Sequence, residues 1–251
     1  MIEGPKSAVF TTVRARNGRL FHLDFHLERL SRHANKLGIP IPKIDLPSNL
    51  EGLVKIQIDH SGVQFSSKPF YQEIHMDAEG VTVPAPRWTR KVAGTKHGDW
   101  DAYRKITSDA FSKGADVALL VHDFCIVDGD RVMPIVLDED GVVWISNPES
   151  GRVDSVTFDV CRPLIEEAGF IISEGRLNER LVARAKEIVL LGTGMGAARL
   201  TILDGIDIGD GTDKLQRTCI AALGDDLWIG GGSLRNLLRI PVNMNNYNTH
   251  N

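Results

Sequence analysis

Hydrophobic and polar positions alternate from Ala8 to Ala15, where AVFTTVRA is rich in β-formers, and an extended pattern resumes from Arg19 to Leu23. Asn17-Gly18 between them is the strongest short hairpin signal, since both residues tolerate the positive φ of a tight turn. A β-hairpin is predicted there. The period then changes: Phe25, Leu27, Leu30, Ala34 and Leu37 recur at helical spacing behind Asp24, and Gly38 and Pro40 close the run. That pattern predicts an amphipathic helix N-capped by Asp24. Beyond a Pro-rich loop, Leu53–Ile58, Val63–Phe65, Tyr71–Met76 and Val81–Pro86 read as strands. Residues 1–91 are therefore expected to form a small α+β domain.

From residue 92 to 251 a larger, strand-rich domain is expected. A helix is predicted over Asp99–Gly114, then strands at Val117–His122, Phe124–Val127, Val132–Leu137 and Val142–Ile145. Asp154-Ser155 opens a helix over Val156–Gly169, with Val160, Leu164, Ile165 and Ala168 facing inward. Ile171–Glu174 reads as a strand, Asn178–Ala185 as a short helix, and Glu187–Leu191 as a strongly apolar strand. No internal repeat is visible. The Asn-rich tail from Asn243 to Asn251 has no core-forming residues and is expected to be disordered.

Gly192, Gly194 and Ala197 after that apolar strand fit a dinucleotide-binding fingerprint. The fingerprint needs a following helix whose N-terminal N–H groups hold a pyrophosphate. Here Arg199–Leu203 is β-branched and ends in Asp204-Gly205, so a strand–turn–strand path is predicted instead. Open N–H groups of the Gly-Thr loop could still contact a phosphate as an anion nest.

Composition narrows the class. The chain has 251 residues, 42% hydrophobic and 25% charged, near globular averages and enough for a real core. With 29 Lys and Arg against 33 Asp and Glu the net charge is −4, too mild for nucleic-acid binding through overall charge. No apolar run approaches the ~18 residues of a spanning helix, and no signal peptide is read. Three separated cysteines, Cys125, Cys161 and Cys219, lack zinc-ligand or redox spacing and are read as reduced thiols of a cytoplasmic protein. The histidines at 22, 26, 33, 60, 75, 97 and 122 show no convergent metal spacing.

Several separated motifs, taken in order, resemble the class IV aminotransferases, the fold-type IV pyridoxal-phosphate enzymes that include branched-chain and D-amino-acid aminotransferases and aminodeoxychorismate lyase. The resemblance runs from about Val9 to Gly211. VFTTVRARNGRLFHLDFHLERLSRHANKLGI is similar to the family's N-terminal signature, and GTK at 94–96 to its Schiff-base lysine region. KGADVALL (113–120), IVDG (126–129), DSVTFDV (154–160) and RAKEIVLLGTG (184–194) follow in the family's order. The resemblance implies a two-domain α+β fold, with a small N-terminal α/β domain and a larger pseudo-barrel domain. It also implies pyridoxal 5′-phosphate as cofactor, amino acid and keto acid substrates, and a homodimer with no nucleic-acid or membrane partner.

Residue by residue, the resemblance assigns Lys96 to the cofactor amine and Arg29, within His26–Leu30, to the 5′-phosphate. It assigns the N–H groups of Val156 and Thr157, with Thr193 and Gly194, to the remaining phosphate contacts. Asp128 takes the place of the family's Glu at the pyridine nitrogen, where a carboxylate keeps that nitrogen protonated. Asp128-Gly129 also reads as a turn, and Lys105 competes with Lys96 but lies in a charged, helix-like run. His97 reads equally as a neighbour that tunes the lysine and as a surface histidine. Departures are Phe158 for an arginine, Met133-Pro134 for Ser-Asn, and Asp99-Trp100-Asp101 for Asn-Tyr, which leaves the partner of the ring hydroxyl unassigned. The activity expected is amino-group transfer between an amino acid and a 2-oxo acid. The alternatives are 4-amino-4-deoxychorismate lyase, with loss of pyruvate, and a non-catalytic member of the fold.

Overall fold

The structure, a computed structural model, describes residues 8–70, 76–98 and 100–224. The N-terminal hairpin forms as β1 (Ala8–Arg16) and β2 (Arg19–Leu20), joined at Asn17 and Gly18, both at positive φ. The helix α1 (Leu23–Leu37) follows. Its N-cap is His22 in a left-handed conformation, and Asp24 sits in the first turn, so the expected Asp24 cap is corrected. Asp24 acts instead as an acidic first-turn residue facing the positive helix end. Gly38, at φ 73, closes the helix by donating to the carbonyls of Ala34 and Asn35.

β3 (Gly52–Asp59) and β4 (Gly62–Lys68) complete a four-stranded antiparallel sheet in the order β2-β1-β3-β4. One face of this sheet, carrying Val9, Val13, Val54, Ile56 and Ile58, packs on Leu30, Ala34 and Leu37 of α1. The alternation predicted from the sequence decides which side chains meet α1 and which face away.

The second sheet has ten strands. It comprises β5 (Asp77–Pro84), β6 (Val117–His122), β7 (Cys125–Gly129), β8 (Met133–Leu137), β9 (Val142–Ser146), β10 (Ile171–Gly175), β11 (Leu177–Asn178), β12 (Glu187–Gly192), β13 (Gly196–Leu203) and β14 (Ile206–Asp207). Their order is β10-β9-β8-β12-β13-β5-β6-β7-β11, with β14 paired to β13. The sheet curls into a nearly closed pseudo-barrel, and the Ser146 hydroxyl on β9 donates to the Val127 carbonyl on β7 at 2.6 Å. Strands buried on both faces explain the continuous apolar runs: Ile188 and Leu190 face one core while Val189 and Leu191 face another.

Helix α2 (Asp101–Ser112) crosses from β5 to β6 and α3 (Val156–Glu167) from β9 to β10, each bridging a parallel step. α4 (Glu179–Ala183) and α5 (Lys214–Leu223) complete the described helices. On α3 the buried face is Val156, Phe158, Cys161 and Ile165, whereas Ala168, expected to point inward, is exposed beyond the helix end. The glycine-rich segment runs from β12 through a turn into β13, as the strand–turn–strand reading predicts. The predicted strand at Tyr71–Met76, apart from the non-strand Met76, and the Asn-rich tail lie outside the described residues. All three cysteines are buried and free. No described helix is long and apolar enough to cross a membrane.

Candidate active site

The segment around Lys96 is placed by strand pairing. β2 covers β1 only at Ala15 and Arg16, so the edge of β1 near Ala8–Phe10 stays open. The 96–98 segment occupies that edge: Phe10 N–H donates to the Lys96 carbonyl at 2.9 Å and Gly98 N–H to the Ala8 carbonyl at 2.7 Å. Val9 and His97 pair antiparallel. Gly98 permits the approach, because a Cβ there would lie 2.8 Å from the Ala8 Cβ. Phe10 stands opposite Lys96, so their side chains share a face. The Lys96 Nζ lies 5.1 Å from the Phe10 ring centroid and 4.8 Å from that of Trp100. Burial, with Arg29 and Lys55 nearby and Asp128 opposing, lowers its pKa to about 7. An amine so tuned is substantially neutral, hence nucleophilic, at physiological pH.

Beside this amine is a polar cup built on α1. Arg29 is buried, donating from one terminal nitrogen to the Asp154 carbonyl at 2.8 Å and from the other to the Thr11 hydroxyl at 2.7 Å. The Thr11 oxygen lies 2.8 Å from Nδ1 of buried His26. Burial lowers the Arg29 pKa to about 10, against the pull of Asp154 and Asp159, so the guanidinium stays charged at neutral pH. One turn along, His33 Nδ1 accepts the Lys96 backbone N–H at 3.1 Å. Burial, then the charges of Arg29 and Lys96, push the His33 pKa down to about 3. The neutral ring therefore carries its proton on Nε2.

Arg29 Nε and His33 Nε2 are buried without a hydrogen-bond partner among the described residues. Such orphaned donors are costly unless a ligand satisfies them. The start of α3 faces the same place through Asp154. Ser155 Oγ accepts the Phe158 N–H at 3.2 Å, while the N–H groups of buried Val156 and Thr157 have no intrahelical acceptor. Together these donors fit an anion with several oxygens. Phe158, where the resemblance expects an arginine, is buried in the core beneath α3.

Three consecutive residues tie the parts together. Arg152 offers its carbonyl 3.1 Å from where a Gly94 Cβ would stand, Val153 N–H donates to Asp128 Oδ2 at 2.9 Å, and the Asp154 carbonyl holds Arg29. Asp128 lies in β7, not in a turn, and its Oδ1 accepts the Gly129 N–H at 2.9 Å. Burial raises its pKa to about 7, although these N–H groups and the charges of Lys96 and Arg152 favour the anion. Tyr103 stands within reach of that charge, its hydroxyl accepting from Trp88 Nε1 at 3.0 Å.

The structure thus gathers Arg29, Lys96, Asp128, Val156 and Thr157 around residues 152–157. Thr193 and Gly194 occupy the β12–β13 turn, where a Gly194 Cβ would contact Leu53 of β3 at 3.6 Å, on the sheet face away from α1. Lys105 is exposed and paired with Asp109 at 2.7 Å. His97 is buried, not at the surface, 4.3 Å from the Trp88 ring and 5.6 Å from the Trp100 ring. Sequence reasoning missed His33, Lys55 and Phe10; only the four-residue spacing of Arg29 and His33 on one helix face hinted at the first. Among the described residues no cluster could hold a metal ion.

Residues 8–65 match the family model of amino-transferase class IV. No curated protein matches the chain by sequence. Among solved structures, a hypothetical aminotransferase of Mycobacterium tuberculosis superposes with a TM-score of 0.73 at 18% identity, covering 87% of this chain and 89% of that one. A provisional 4-amino-4-deoxychorismate lyase of Legionella pneumophila also gives 0.73, at 16% identity, covering 87% and 93%. The branched-chain amino acid aminotransferase of Escherichia coli gives 0.70 at 16% identity, covering 85% and 82%. The chain therefore has the fold of the class IV aminotransferases and related lyases, and carries that family's sequence pattern in residues 8–65.

Proposed function

We propose that the protein is a pyridoxal-phosphate-dependent aminotransferase, moving an amino group between an amino acid and a 2-oxo acid, with Lys96 as its working amine. The observation that carries this reading is the placement of one half-buried amine between a cup of unsatisfied donors and a buried carboxylate. The residues fit the cofactor: Arg29, His33 and the N–H groups of Val156 and Thr157 suit its phosphate. Asp128 suits its ring nitrogen. Pyridoxal phosphate, when bound, supplies an electron-accepting ring that stabilises negative charge on the substrate's α-carbon.

The chain's own residues supply the rest. Lys96 Nζ, its pKa lowered to about 7 by burial, is neutral enough at physiological pH to take a proton from the substrate's α-carbon and, once protonated, to return one. Asp128 needs only a cationic neighbour to ionise, so a protonated ring nitrogen and this carboxylate favour each other's charged forms. Phe10 and Trp100 shield the amine from water on two sides. The His33 bond to the Lys96 backbone fixes the distance between amine and cup. By similarity of fold, we read the working form as a cytoplasmic homodimer.

A lyase reading, in which the same proton removal is followed by release of pyruvate, is favoured by the equal likeness to the Legionella protein. One assay separates the two. Purified protein with pyridoxal phosphate is offered a panel of D- and L-amino acids with a 2-oxo acid acceptor, and separately aminodeoxychorismate. Keto acid without pyruvate supports the aminotransferase, pyruvate from aminodeoxychorismate supports the lyase, and neither product identifies a non-catalytic member of the fold.

A further inference from the structure

The anion cup already contains negative charge of its own. Three features draw an anion to it: the guanidinium of Arg29, that of Arg32 three residues along α1, and the positive end of α3. Each is met by a carboxylate of this chain. Asp154 Oδ2 lies 3.3 Å from a terminal nitrogen of Arg32 and 4.0 Å from His33 Nε2, and Glu28 takes the other Arg32 nitrogen at 2.8 Å. Asp159 stands in the first turn of α3, where it offsets the helix end. The charges of Asp154 and Asp159 both act on buried Arg29. Phe158, between them and the core, adds no cation.

An anion entering the cup satisfies the orphaned donors Arg29 Nε and His33 Nε2. It also meets two like charges. A phosphate monoester carries roughly −1.5 to −2 charge at neutral pH, and like charges brought together in a partly buried site oppose binding. The frame of the cup does not need the Asp154 side chain, because Arg29 is held by the Asp154 backbone carbonyl, which any residue there would offer. The carboxylate therefore weakens the site without helping to build it.

We infer that Asp154 and Asp159 are internal competitors of the phosphate, so that the protein releases its cofactor in the aminated form and exchanges it with the free pool. This rests on the reading of the cup as the cofactor's phosphate site. The aminated form has no carbonyl for Lys96 to bond, so phosphate and ring contacts alone hold it.

The test is calorimetric titration of the full chain with inorganic phosphate and with pyridoxamine phosphate. Asp154→Asn and Asp159→Asn each bind both ligands at least about threefold tighter than the parent, and Asp154→Glu, which keeps the charge, stays within about twofold of it. On gel filtration the loaded parent loses pyridoxamine phosphate and the doubly substituted protein retains it. Unchanged or weaker phosphate binding by both asparagine variants overturns the proposal, since the carboxylates would then position the donors instead of opposing the anion. Retention of pyridoxamine phosphate by the parent overturns it as well, as does phosphate binding by neither parent nor variants. A parallel titration with pyridoxal phosphate keeps the two readings apart: a parent that takes up none contradicts the pyridoxal reading, whereas the phosphate titrations decide the competition by themselves.

Discussion

Lys96 is held in a state that costs the fold stability. Its pKa is about 7 in the folded chain against an ordinary value of 10.5, chiefly through burial. Between those values the unfolded chain binds a proton that the folded chain has released, so stability from this group rises with pH across that window and is lowest below it. Lys96→Met should therefore raise the melting temperature at pH 6.5 by roughly 2–6 °C, corresponding to ~1–2 kcal/mol after allowance for partial exposure, with little gain left near pH 10. Thermal melts at the two pH values check the sign. Arg29→Met acts oppositely. It strands the Asp154 carbonyl and leaves the Thr11 hydroxyl with His26 alone, and should cost about 2–4 kcal/mol in urea unfolding while abolishing tight pyridoxal-phosphate uptake. Arg29, Lys96 and Asp128 are each nominated by a short sequence motif, and the fold brings them near enough for Arg29 and Asp128 to act on the Lys96 charge. His33 is not legible in the sequence, since a histidine on an apolar helix face meets the Lys96 backbone only when the 96–98 segment pairs with β1.

Among the elements, the edge of β1 matters most to the site. Gly98 is needed there for space, so Gly98→Ala should push the 96–98 segment off β1 and lower pyridoxal-phosphate affinity by at least about tenfold. Equilibrium titration of the variant reads this, with circular dichroism confirming that the sheets persist. Ser155→Ala is milder: losing the α3 cap should cost ~1 kcal/mol in denaturant unfolding. Most strands and helices were readable from alternation and spacing. The start of α1 was not, because a left-handed His22 has no sequence signal comparable to the Asp24 beside it.

In the whole molecule, the two sheets meet through a shared core in which Val9, Val54 and Leu30 of the small sheet and α1 join Trp88, Tyr103, Leu120 and Val127. The order of the ten-stranded sheet was illegible, since its neighbours β13-β5 and β12-β8 are far apart in the chain and no local pattern records them. That a strand and not a helix directly follows the glycine turn was legible, because Thr201-Ile202 and the Asp204-Gly205 turn signal end the run as an extended segment. If the working form is the proposed homodimer, light scattering should give twice the chain mass of 27.7 kDa. A monomer would remove that part of the reading.

The most direct test fixes pyridoxal phosphate to the protein with borohydride and maps the labelled peptide by mass spectrometry. A pyridoxyl group on the peptide containing Lys96, absent from Lys96→Met, is the expected result. A label on another lysine, or none at all, would contradict the account.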